Sequence, residues 1–122
     1  MAPELVLNKK YSEKVDVWSL GVITYQLLSG RTPFDASKIK KINYNIIHKE
    51  IVFPDKQWSG ISEQAKNFIR LCLDRNQNTR PSIAELFEHP WISDAQPEDL
   101  MNQDVRLNIQ NNIMAYNKLN NF

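Results

Sequence analysis

Few residues in this chain have the type and spacing that chemistry requires. His48 and His89 stand far apart, with no partnering cysteine and no second histidine at helical spacing, so a metal site is not expected. Cys72 is the single cysteine. It falls on the apolar side of a helical pattern with no adjacent histidine, which reads as a buried, inert thiol rather than a nucleophile. Gly21, Gly30 and Gly60 are too widely separated to build a glycine-rich loop around phosphates. Lys9, Lys10 and Lys14, and later Lys38, Lys40 and Lys41, read as solvated charges. Asp16 opens a long apolar stretch, where a carboxylate suits the positive end of a helix dipole.

The elements that would position these groups are helical. Residues 14–29 predict one helix, with Gly30 just past its end and Pro33 soon after. Val15, Val17, Trp18, Leu20, Val22, Ile23, Tyr25, Leu27 and Leu28 cover every side of it, so it is expected to be a central strut wrapped by neighbours. A second, amphipathic helix is predicted over 36–49 from Ile39, Ile42, Ile46 and Ile47. Ser62 is placed to cap a third, reaching about Leu73, with Ala65, Phe68, Ile69 and Cys72 inward. A fourth starts at Ser82, which forms a capping box with Glu85, and Pro90 is expected to stop it. "EIVFP" is the sole β-like stretch, ended by Pro54. A polar linker, 93–98, then leads to an Asn-rich tail. There Val105, Ile109, Ile113 and Tyr116 keep helical spacing, predicting a last helix over 99–120.

Composition sets bounds on function. The chain has 122 residues, 42% of them hydrophobic, enough for one compact domain or part of a larger one. With 15 Lys and Arg against 14 Asp and Glu there is no overall field to attract nucleic acid or an anionic membrane. The apolar run from Val17 to Leu28 is interrupted by Ser19, Thr24 and Gln26, and it falls short of the roughly 20 residues that span a bilayer. No glycosylation sequon occurs and no charged-then-apolar leader precedes the first motif, so a cytoplasmic chain is expected.

Four blocks carry a resemblance: "APE" at 2–4, "DVWSLGV" at 16–22, "LLSGRTPF" at 27–34 and "RPSIAELFEHPWI" at 80–92. In this order and at these separations they resemble the C-terminal lobe of eukaryotic Ser/Thr protein kinases, with Ala-Pro-Glu closing the activation segment. The resemblance implies an all-α, kinase-like C-lobe over residues 1–92. It implies that Glu4 and Arg80 form a buried ion pair; by spacing alone they are ordinary surface charges. It implies that Asp16 anchors the catalytic loop by accepting its backbone N–H groups; otherwise Asp16 is simply a first-turn acid. Met1 matches a residue lining the substrate pocket, or is only an apolar start methionine. Gln26, Arg31, Pro33 and Phe34 fall at the implied substrate groove. Gln26 replaces a glutamate with which some relatives bind a substrate arginine, which puts basophilic selectivity in doubt.

The tail "LNIQNNIMAYNKLNNF" resembles the junction helix of calcium-dependent protein kinases, with Val105, Ile109, Ile113, Tyr116 and Leu119 as its apolar positions over 99–122. In that family the segment plugs the substrate groove and hands over to a calmodulin-like calcium-sensing region. Residues 93–122 hold only Arg106 and Lys118 as cations, so a hydrophobic plug or docking helix fits better than a charged pseudosubstrate. An ordinary helix packed on the back of the lobe is the other reading.

Phosphoryl transfer needs a phosphate-covering Gly-rich loop, a Val-Ala-Ile-Lys strand, a His-Arg-Asp loop and an Asp-Phe-Gly motif, and none occurs here. The chain is therefore expected to be the downstream part of a kinase lobe, with no catalytic residues and no ATP or Mg²⁺ bound by itself, although both serve the full-length family. Its expected partners are a protein substrate and the upstream kinase segments. The alternative function is a non-catalytic interaction or regulatory module derived from such a lobe.

Overall fold

The computed structural model describes residues 1–94 and 111–114, and every described element is helical. The order is α1 (Pro3–Val6), α2 (Lys14–Ser29), α3 (Ile39–His48), α4 (Asp55–Trp58), α5 (Glu63–Cys72), α6 (Ile83–Phe87) and α7 (Pro90–Ser93). Residues 111–114 are also helical.

Helix α2 organises the rest. It ends as its sequence requires, with Gly30 in the left-handed region at φ 77° and the Gly30 N–H returning to the Gln26 carbonyl at 2.8 Å. Val17, Trp18, Gly21 and Tyr25 line its buried side. The closest packing is against α5. A Cβ added to Gly21 would lie 2.6 Å from Cys72 Cβ, so the two helices meet at a distance only glycine permits. Helix α2 is the largely buried central helix that its sequence predicts, with one open edge. Asp16, Ser19 and Ile23 are exposed along one edge, with Leu20 and Leu27 half-buried beside them. Ile23 is the exposed apolar residue of that edge, while Leu20 packs against Val17, Phe68, Cys72 and Leu86.

Two clusters form the core. The larger joins Ala2, Trp18, Tyr25, Phe34, Ile46, Trp58, Ile69 and Leu73; the smaller joins Val17, Phe68, Cys72 and Leu86. Tyr25, Phe53 and Trp58 pack ring on ring, with the Tyr25–Trp58 centroids 4.8 Å apart. The β-like "EIVFP" stretch is not a strand. It runs unpaired, and the Val52 carbonyl accepts the Tyr25 hydroxyl at 2.7 Å in place of a ladder partner.

Helix ends follow local chemistry. Helix α3 starts at Ile39, because Lys38 is extended, and stops at His48. Its C-terminal carbonyls are taken by Arg75, which donates to Ile46 O at 2.8 Å, to Asn45 O at 3.3 Å and to Lys49 O. Ser62 caps α5 through the Ala65 N–H, and Ser82 with Glu85 forms the full capping box of α6. Pro90 does not end α6, which stops at Phe87. It opens α7 instead, where its missing N–H is harmless, and His89 Nδ1 accepts the Trp91 N–H at 3.1 Å. Ser93, placed in the linker by sequence, is still helical.

Candidate functional site

The site is built on a column of side chains that crosses the molecule. At one end lies Glu4, in a short helix whose first position is proline. Arg80 reaches it from the loop before α6 and is fully buried, while Glu4 is only 4% exposed. Arg80 Nη1 donates to Glu4 Oε2 at 2.8 Å and Nη2 to Oε1 at 2.9 Å, a parallel two-bond pair. Two further donors are satisfied by the backbone: Nε bonds Asp74 O at 2.8 Å and Nη1 bonds Lys14 O at 2.9 Å. One guanidinium thereby ties α1, the start of α2 and the turn after α5 together. Burial acts to raise the Glu4 carboxyl, but the hydrogen bonds and charge of Arg80 outweigh it and hold the group below its ordinary value.

Trp18 continues the column. The Arg80 guanidinium stands 5.3 Å from its ring centroid, and on the other side Phe34 stacks at 5.4 Å with only 10° between planes. Phe34 then opens onto a cavity of about 220 Å³ lined by Met1, Trp18, Val22, Thr32, Pro33, Phe34, Asp35, Ile42 and Ile46. Met1, itself 63% exposed, forms its outer lip. The cavity is mostly apolar with one carboxylate, Asp35, at its wall, a shape and chemistry suited to one apolar side chain of a peptide.

The candidates from sequence therefore separate. Met1, Pro33 and Phe34 converge on one cavity. Arg31 lines a different, polar one of about 360 Å³, together with Ser29, Lys56, Gln57 and Ser59. Gln26 is half-buried on α2, lines neither cavity and uses its carbonyl to close the helix end. Asp16 is exposed in the first turn of α2. Of the tail positions, Val105, Ile109, Tyr116 and Leu119 lie outside the described residues, and Ile113 is 39% exposed. Sequence reasoning took Ile42 and Ile46 as core alone and missed them as cavity wall; their nearness to "TPF" was the available signal. It also missed Asn112, whose amide donates to Leu27 O at 2.9 Å and rests against Gly30. Nothing in an Asn-rich tail singles that residue out.

Among the described residues no group of three or more His, Cys, Asp and Glu is placed to hold a metal ion. No described helix is long and apolar enough to cross a membrane.

An all-helical lobe stitched by a buried Arg–Glu pair at the foot of a central helix defines a class, that of the protein kinase C-terminal lobe. The chain belongs to the protein kinase domain family, which it matches over residues 1–92. It is 43% identical over 97 residues to the calcium/calmodulin-dependent protein kinase type I of Schizosaccharomyces pombe, covering 80% of this chain and 29% of that protein. It is 40% identical over 119 residues to calcium-dependent protein kinase 21 of Arabidopsis thaliana, covering 98% of this chain and 22% of that one. Among solved structures, the twitchin kinase region of C. elegans matches with a TM-score of 0.75 and 34% identity, covering 93% of this chain and 20% of that chain. The chain thus spans less than a third of the relatives it resembles.

Proposed function

We propose that this chain is the peptide-holding side of a Ser/Thr protein kinase. Residues 1–92 form the lobe scaffold, 93–98 a linker and 99–122 a junction helix, while ATP and Mg²⁺ are held by other kinase segments. The observation that carries this reading is the cavity of Met1, Pro33 and Phe34 mounted on the Trp18–Arg80–Glu4 column. It gives a substrate side chain a fixed seat, and positioning is most of what a kinase contributes to phosphoryl transfer. Exposed at the tip of α2, Asp16 is accessible to the backbone N–H donors of a catalytic loop. Protein substrates, the segments carrying that loop and a calmodulin-like calcium sensor are its partners on this reading.

The test is a chimera that joins this chain to the ATP-binding and catalytic-loop segments of a related kinase. Transfer to a protein substrate is expected from the chimera and none from the chain alone. Phe34→Ala is expected to raise KM for peptide with little change in kcat. A folded chimera without transfer, or transfer by the purified chain that disappears in Asp16→Ala, refutes the proposal.

A further inference from the structure

Helix α3 has an outer face that the fold does not use. Between positions 36 and 49 the sequence carries Lys38, Lys40, Lys41 and Lys49 and no Asp or Glu, in a chain whose total charge is nearly balanced. Lys40, Lys41, Tyr44 and His48 stand at spacings that share one helical side, turned away from the inward Ile42 and Ile46. All four are exposed, Tyr44 by 55%. The stripe is ordered internally: Lys41 Nζ lies 4.6 Å from the Tyr44 ring centroid, and the Tyr44 and His48 rings stand 4.5 Å apart. Its lysines make no ion pair among the described residues. The opposite side of the same helix supplies Ile42 and Ile46 to the wall of the Met1–Phe34 cavity.

We propose that the outer face of α3 is a docking surface for an acidic protein segment carrying an aromatic or aliphatic residue, which it holds beside the cavity of Met1, Pro33 and Phe34. The lysines match carboxylates, and Tyr44 supplies the apolar contact that solvated charges alone lack. This proposal rests on the kinase reading for the identity of its occupant as protein. A segment anchored on the outside of α3 has only the helix's width to cross before a neighbouring residue enters the cavity. Two weak contacts on one chain then act together, since the second becomes intramolecular.

The experiment is fluorescence anisotropy on the 122-residue chain without ATP, with a labelled peptide of Glu and Asp bearing one Phe. Binding is expected. Lys38→Gln/Lys40→Gln/Lys41→Gln is expected to weaken it roughly tenfold, the product of three exposed charge contacts each worth about a factor of two. Tyr44→Ala is expected to erase the advantage of the Phe-bearing peptide over one without it. Lys9→Gln/Lys10→Gln, which removes charge outside the stripe, is expected to leave binding unchanged. No binding, or equal weakening by that control, overturns the proposal. So does an oligonucleotide of matching charge that binds as tightly with the same variant dependence. A chain that does not bind the peptide while its chimera transfers phosphate loses the docking surface and keeps the kinase reading. Peptide binding with a folded but inactive chimera does the reverse.

Discussion

Replacing Arg80 by methionine tests the column at its strongest joint. The methionine fills much of the stem's volume but removes four hydrogen bonds, two to Glu4 and one each to the Asp74 and Lys14 carbonyls. Glu4, only 4% exposed, must then remain charged without a partner or take up a proton. Breaking a buried pair from one side costs about 3–5 kcal/mol. A 122-residue domain holds roughly 5–15 kcal/mol in total. Arg80→Met should therefore remove a large share of the stability. Glu4→Gln should cost less, because a neutral amide still accepts from Arg80. The double variant Glu4→Gln/Arg80→Met should be more stable than the sum of the single losses implies, since the stranded carboxylate is gone.

Urea unfolding followed by tryptophan fluorescence measures all three, with Trp18, Trp58 and Trp91 together reporting the loss of the fold. Acid adds an independent sign. The Glu4 carboxyl is held below its ordinary 4.5 in the folded chain, so its contribution is complete above that pH and is lost as pH falls through the lowered value. The wild type should lose stability in that window, and Glu4→Gln should lack this component. Arg80→Met within about 1 kcal/mol of wild type would refute the reasoning, because that is the worth of a solvated pair.

Other outcomes follow from named contacts. Gly21→Ala gains helix propensity, roughly 1 kcal/mol, but pushes a Cβ to 2.6 Å from Cys72 Cβ. Overpacking of about 1–3 kcal/mol should win, seen as a lower urea midpoint. Burial pushes the Cys72 thiol up to about 12, so the folded chain should not react with a thiol reagent at pH 8, and reaction should appear only on unfolding. Ser82→Ala removes one half of the α6 capping box and should cost about 1 kcal/mol by the same urea assay. The edge of α2 around Ile23, with the apolar cavity of about 170 Å³ between Leu20, Phe68 and Phe87, should bind a hydrophobic dye and promote association at higher concentration. A monodisperse, dye-free chain would count against that.

Local signals made the helices legible, and long-range ones stayed hidden. Ser62, Ser82 and Gly30 each announce a helix end through a bond to residues within four positions, so sequence placed α5, α6 and the end of α2 to within a residue or two. The short helices α1, α4 and α7 went unread, since one turn is held by tertiary packing and leaves little periodicity. Pro90 misled because proline ends one helix and starts another with equal chemical ease. At the site, motif order pointed to Glu4, Arg80 and Phe34, but nothing local told that Trp18 would lie between them. Periodicity spread apolar residues around all of α2 and could not say that its Asp16–Ser19–Ile23 edge would stand open.

That open edge and the stacked column divide α2 between two tasks. Its buried side ends at Trp18, which touches both the charge pair that staples the chain and the ring that walls the cavity. The indole contacts both ends, at 5.4 Å between ring centroids and 5.3 Å from the guanidinium to the ring centroid. Trp18→Leu should consequently loosen both ends at once, lowering stability and weakening any peptide seated at Met1 and Phe34. Ile23→Gln on the open edge should leave peptide affinity unchanged. If the two variants behaved alike in a peptide-binding assay, the column would be packing only, and the seat would owe its geometry to the α3 wall instead.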